Sequence, residues 1–212
     1  NLVVGALLCI LLLILSFCIS FAINQYFILI ICGYTFLTLG YSFYLKKLLL
    51  LDIFLLSTLY TLRLLGGGVA ISVELSNWLL TFSIFIFLSL GTLKRYTDTS
   101  SVAQSKTGKL AHGRSYILED LPGLQILGIS SGIISVFVFL LYAASDEIAM
   151  FYRSPIYLWI SSIVLAYWIV NIWFLASRGL VKGDPILFAL KDKNSIASIF
   201  IVVILIAAAI KL

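Results

Sequence analysis

Lys94-Arg95-Tyr96-Thr97-Asp98 sets two cations and a carboxylate within one turn at the end of a long apolar run. Residues three and four apart share a helical face, so Lys94, Arg95 and Asp98 can act together. Arg and Lys at such a site would clamp phosphate oxygens, while Asp98 would hold a metal or a hydroxyl. The plainer alternative is a snorkelling basic anchor with a capping pair. A second cluster ends an earlier apolar run: Tyr41, Tyr44, Lys46 and Lys47. Phenols and ammonium groups there could grip a diphosphate, or simply anchor the chain at a membrane interface.

A third group lies inside an apolar run. Asp52 and Arg63 are eleven residues apart, close to three helical turns, so both project from one face roughly 16 Å apart along the axis. That gap prevents a direct pair. Arg63 therefore needs a partner from another helix or a polar cavity, because an intramembrane charge is otherwise costly. Tyr60 and Thr61 add polar capacity beside it, and Gly66, Gly67 and Gly68 permit close helix approach. The triple glycine lacks the strand and the Lys-Ser/Thr ending of a phosphate loop. Further candidates sit in two polar links: His112, Arg114 and Tyr116 in one, Arg178, Lys182 and Asp184 in the other. His112 could be a general base, or merely a loop residue.

The elements that position these groups follow from composition. Of 212 residues, 62% are hydrophobic and 11% charged, with 14 Lys+Arg and 9 Asp+Glu, far too few charges for a soluble surface. With 14 Gly, 3 Pro and 3 Cys, the collagen-like, disordered and disulfide-scaffold classes are excluded as well. Cys9, Cys18 and Cys32 all lie in apolar runs with no CxxC or Cys/His cluster, so neither a disulfide framework nor zinc is indicated. The expectation is an all-α, polytopic membrane helical bundle, because the apolar runs are continuous rather than alternating.

Seven runs reach spanning length, near 2–23, 26–45, 48–73, 77–93, 123–144, 155–176 and 195–210. One transmembrane domain over 1–212 is expected. The link from Lys94 to Pro122 is the one long polar loop, a length usually functional or disordered. Eleven of the fourteen cations fall in three alternate links: after the second, fourth and sixth segments. The positive-inside rule places those links in the cytoplasm, with the protein in a bacterial inner membrane.

The pattern resembles the UbiA superfamily of intramembrane prenyltransferases, and within it the decaprenyl-phosphate phosphoribosyltransferase branch. The resemblance is carried by YSFYLKK (41–47), Asp52, YTLR (60–63) with its glycines, KRYTD (94–98), GRSY (113–116) and SRGLVKGDPILFAL (177–190). It implies a nine-helix bundle whose cavity opens to the cytoplasm. The superfamily's first Asp-rich motif is not in this sequence. Counted back from the 41–47 junction, the chain resembles the family from its third helix onward, which fits Asn1 in place of Met. The first two helices and the main metal ligands are then expected upstream.

Enzymes acting on aromatic acceptors carry a second DxxxD where this chain has KRYTD. Lys and Arg in place of carboxylates favour direct clamping of phosphates, hence the phosphoribosyl branch. The implied reaction moves 5-phosphoribose from phosphoribosyl diphosphate to a polyprenyl phosphate in the bilayer, with Mg2+ on the leaving diphosphate. Lys94, Arg95 and Asp98 are then the implied catalytic groups, Asp98 also a metal ligand. Tyr41, Tyr44, Lys46, Lys47, Tyr60, Arg63, Arg114, Tyr116, Arg178 and Lys182 would bind substrate. No nucleic-acid partner is expected. Two other readings are prenyl transfer from a polyprenyl diphosphate to an aromatic acceptor, and a lipid or small-molecule transporter.

Overall fold

The computed structural model describes residues 2–104, 115–146, 148, 152–181 and 183–210. The expectations for Arg114, Lys182 and His112 therefore lie outside the described residues. Among those described, eight α-helices have defined bounds: α1 (Leu2–Ile23), α2 (Gln25–Phe43), α3 (Leu51–Ala70), α4 (Asn77–Gln104), α5 (Leu121–Ala143), α6 (Ile156–Ser177), α7 (Pro185–Ala189) and α8 (Lys193–Ala209). Short 3₁₀ turns at Leu45–Lys47 and Leu118–Asp120 precede α3 and α5.

The architecture is the helical membrane bundle expected, with six helices among the described residues long and apolar enough to cross a bilayer. The seventh apolar segment differs. α8 has 17 residues, about 25 Å of helix, short of a 30 Å hydrocarbon core. α4 differs in the other direction. The apolar run fades at residue 93, but the helix carries Lys94, Arg95 and Asp98, as their shared face requires, and continues past them to Gln104.

Local chemistry sets the ends. Asn24 caps α2 by accepting from the Tyr26 N–H, and Asp192 caps α8 by accepting from the Ser195 N–H. α6 stops where Gly179 takes φ 70°, a left-handed conformation that glycine adopts without a Cβ penalty. Leu50, just before α3, has φ 64° without that advantage, so its conformation must be held by contacts.

Sequential helices pack as neighbours. α4 is the hub, with its largest interfaces against α5 and α3, while α6 packs on α8 and α5. α1 and α2 stand at the periphery: α2 has no buried residue. The core between α4, α5 and α6 depends on small residues. The Trp173 indole N–H donates to the Ser89 hydroxyl at 3.1 Å, and that hydroxyl donates to the Gly128 carbonyl at 2.7 Å. Trp173 lies directly on Gly128, where a Cβ would come within 1.9 Å of its ring; a Cβ on Gly132 would come within 2.6 Å of Ile169. Without a hydrophobic driving force in lipid, such close approach and an interhelical hydrogen bond hold helices together.

Gly128→Leu should therefore lower the thermal midpoint of the protein in detergent sharply, by a stability loss of at least the 1–3 kcal/mol typical of overpacking, roughly. Trp173 emission should shift as the ring is displaced. Gly123→Leu, with open space around its Cβ position, is the matched control and should melt near the parent.

Candidate functional site

Asp52, in the first turn of α3, is fully buried, and Arg95 of α4 is 1% exposed. Their ion pair closes at 2.6 Å between Nε and Oδ2. Arg95 Nη1 reaches Asp98 Oδ2 at 3.3 Å, and Nη2 donates to the Tyr41 hydroxyl at 3.0 Å. All three guanidinium nitrogens thus have partners inside the protein, on α2, α3 and α4. On the other side of Asp52, the Tyr116 hydroxyl donates to Oδ1 at 2.5 Å and accepts from the Leu50 N–H at 3.0 Å. Ser115 adds a hydroxyl bond to the Lys47 carbonyl. This explains the left-handed Leu50: its amide is fixed by a phenol that is itself fixed by a buried carboxylate. Burial, then the hydrogen bond to Asp52 and its negative charge, push the Tyr116 phenol above its ordinary value, against opposing pulls from Leu50 and Arg95.

Lys94 points elsewhere. It was expected to share a face with Asp98, but its Nζ pairs with Asp184 Oδ2 at 3.2 Å, from the link before α7. Asp184 also caps α7, its Oδ1 accepting from Ile186 at 2.9 Å and Leu187 at 3.4 Å, with Pro185 at the first helical position. Partial burial works against the Asp184 charge. The Lys94 bond and charge and the two amides outweigh it and hold the carboxyl below the usual range.

Between these groups lies a cleft of about 140 Å³ lined by Tyr41, Leu56, Tyr60, Phe87, Leu90, Gly91, Lys94, Arg95 and the Asp184–Ile186 turn. Its lining combines the charged Lys94, Arg95 and Asp184 with the aromatic Tyr60 and Phe87, whose rings stack at 5.2 Å. Beyond Tyr60, Arg63 is exposed, not buried like Asp52 on the same face. Its Nε donates to the Tyr34 hydroxyl at 2.9 Å, as does Nη2, and its guanidinium lies 5.3 and 5.2 Å from the Tyr34 and Tyr60 rings. The partner expected from another helix is therefore a phenol of α2. A larger apolar cavity of about 420 Å³, lined by Trp78, Phe82, Phe139 and Tyr152 among others, has no charged residue in its lining.

Of the residues singled out in the sequence, Tyr41, Tyr60, Lys94 and Arg95 line one cleft, with Asp98 and Tyr116 bonded to the same network. Tyr44 and Lys47 are exposed away from the cleft lining, as is Arg178, which lies in a shallow groove of α6. The Arg95 side chain is 2% exposed and engaged by Asp52, Asp98 and Tyr41, so its three nitrogens are already bonded within the protein. Tyr34 is not among the residues that the sequence singles out, and neither is the pairing of Asp184 with Lys94. The Asp-Pro pair is a legible helix start, and Tyr34 lies seven residues, two turns, before Tyr41. Among the described residues, no group of three or more His, Cys, Asp and Glu could hold a metal ion. Asp52 and Asp184 each face a cation, and Asp98 faces Arg95.

Asp52→Ala should destabilise the protein by about 3–5 kcal/mol, because it strands a buried guanidinium. Replacing both partners, Asp52→Leu with Arg95→Met, should cost clearly less than the sum of the single changes; additive thermal shifts would refute the coupling. For Asp184 the depressed folded value fixes the sign. Its stabilisation is full above the unfolded value near 3.8 and is lost as pH falls through the folded one. The gap in melting midpoint between the parent and Asp184→Asn should be wide at pH 6 and close toward pH 3.

No family model matches the sequence. The chain is similar to an uncharacterized protein of Sinorhizobium fredii, 32% identical over 192 residues, which is 90% of this chain and 37% of that protein. It is similar to the nodulation protein NoeC of Azorhizobium caulinodans, 30% identical over 152 residues, 70% of this chain and 48% of that one. A shorter stretch of 65 residues, 31% of this chain, is 42% identical to 20% of the decaprenyl-phosphate phosphoribosyltransferase of Corynebacterium glutamicum. The alignments thus take in less than half the length of each of these curated relatives.

Proposed function

We propose that the chain is part of an intramembrane transferase of the UbiA type. It moves 5-phosphoribose from phosphoribosyl diphosphate to a polyprenyl phosphate, at a cleft facing the cytoplasm of a bacterial inner membrane. The observation that carries this reading is the cleft itself, in which Lys94, paired with Asp184, shares a lining with the aromatic Tyr60 and Phe87 within a membrane bundle. The local likeness to a decaprenyl-phosphate phosphoribosyltransferase supports it. The basic links favour the cytoplasmic orientation.

In the proposed reaction an oxygen of the lipid phosphate attacks C1 of the ribose. The bond from C1 to the diphosphate oxygen breaks, and diphosphate leaves with the electron pair. The attacking phosphate is already ionised, so no proton need be abstracted. Lys94 exchanges Asp184 for a diphosphate oxygen and stabilises the charge that develops there. Arg95 acts one step removed: it holds Tyr41 and the α3–α4 pair in register, so that the wall of the cleft is rigid when substrate arrives. Magnesium would be carried by the diphosphate. The described carboxylates do not form a ligand set for it, and no step here is assigned to it.

The test supplies the intact protein in nanodiscs with radiolabelled phosphoribosyl diphosphate and a polyprenyl phosphate, with and without magnesium. Labelled lipid is expected, and Lys94→Ala should lower kcat/KM by about a hundredfold, the scale of losing one charge-stabilising donor. Lys191→Ala, on an exposed turn, should leave turnover near the parent value. Absence of labelled lipid from folded protein, or equal effects of the two lysines, would refute the proposal.

A further inference from the structure

The geometry points to Arg63 as the anchor of a second anion subsite, inside the membrane, that receives the phosphate of a lipid; the identity of that lipid as the acceptor rests on the transfer reading above. Arg63 lies twelve residues into α3 from Leu51, about 18 Å along the axis, well within the hydrocarbon layer. A guanidinium at that depth is expensive, and such groups face a partner or a polar cavity. Here the partners are neutral. Nε and Nη2 both go to the Tyr34 hydroxyl, the Tyr34 and Tyr60 rings flank the cation, and no carboxylate among the described residues pairs with it. Nη1 has no partner among the described residues and the side chain is exposed. The fork is therefore held in place by phenols yet keeps N–H donors to offer a planar or tetrahedral oxyanion.

A second observation lies on α2. Tyr34, Thr38 and Tyr41 recur at four and three residues, one face of the helix. Tyr34 bonds Arg63 and Tyr41 bonds Arg95, and between them the Thr38 hydroxyl is buried without a partner. On α3 the matching stripe is Leu56, Tyr60 and Arg63, of which the first two line the cleft. The α2–α3 seam thus joins the Arg63 site to the cleft by way of Tyr60, whose ring belongs to both. It can be reached from outside the bundle at Arg63, whose side chain is exposed. A soluble anion would have to leave water to reach Arg63. A lipid phosphate arrives with its tail already in hydrocarbon, so only its head must be desolvated. The two cations then have separate tasks: Lys94 takes the soluble polyanion, and Arg63 takes the membrane-borne one.

The probe is radiolabelled farnesyl phosphate, partitioned into phosphatidylcholine nanodiscs with and without the intact protein. Protein-dependent retention is expected. Arg63→Gln should weaken it at least tenfold, Arg63→Lys should recover part of the loss, and Lys94→Gln should change it less than threefold. Millimolar inorganic phosphate should not displace the probe. Retention unchanged in Arg63→Gln would overturn the inference. So would displacement by inorganic phosphate, which would mark a site for a soluble anion. A fall in melting midpoint in both Arg63 variants with unaltered retention per folded protein would overturn it too, by making the residue structural. Because retention is read without turnover, Arg63-dependent binding with no labelled product would refute the transfer reading alone. Transfer that is indifferent to Arg63 would refute the subsite alone.

Discussion

A carboxylate and a guanidinium removed from solvent between two membrane helices are the constraint from which the rest of the site is built. Asp52 and Arg95 lie 43 positions apart in sequence, on neighbouring helices, and neither could persist in that environment alone. Once paired, their remaining capacity is spent on neighbours. Asp52 takes the Tyr116 phenol, and Arg95 takes Tyr41 and Asp98. Four separate segments are thereby tied to one point. The Leu50 backbone, in a conformation unfavourable for leucine, is fixed by the same point. A charged pair of this kind adds little net stability compared with apolar packing. Its contribution is registry, because it specifies which turn of α3 lies against which turn of α4.

That registry decides which cations can meet a substrate. Adjacent residues Lys94 and Arg95 look equivalent in sequence but leave the helix about 100° apart. One is turned into the bundle and neutralised there; the other is turned to the cleft, with a single partly exposed partner that a stronger anion can replace. The same logic separates Asp52 from Arg63. They share a helical face, but Asp52 meets α4 and Arg63 meets α2.

The bundle is readable from sequence because lipid imposes a simple rule: continuous apolar runs of about twenty residues must be helical. The rule says nothing once polar residues begin, and that is why the last turns of α4 are missed. Lys94 to Gln104 has no apolar pattern, yet the helix persists, sustained by packing at its buried residues Arg95, Tyr96, Thr97 and Thr99. Asp52 and Arg63 stand out in the sequence as charges in apolar surroundings. Their pairings do not, because Arg95 and Tyr34 meet them only through the crossing of helices. The Lys94–Asp184 pair joins residues 90 positions apart and is similarly invisible to local pattern.

The 28 residues of α4 make a rod of about 42 Å, against a hydrocarbon layer of about 30 Å. A rod longer than the slab it crosses must lean or protrude, and how much of each is set by the slab. Lys94 sits two-thirds of the way along, near where the rod leaves the oil. A thicker or thinner membrane would therefore raise or lower that ammonium relative to the plane of the lipid head groups, so the composition of the host bilayer is itself a mechanical input to the cleft.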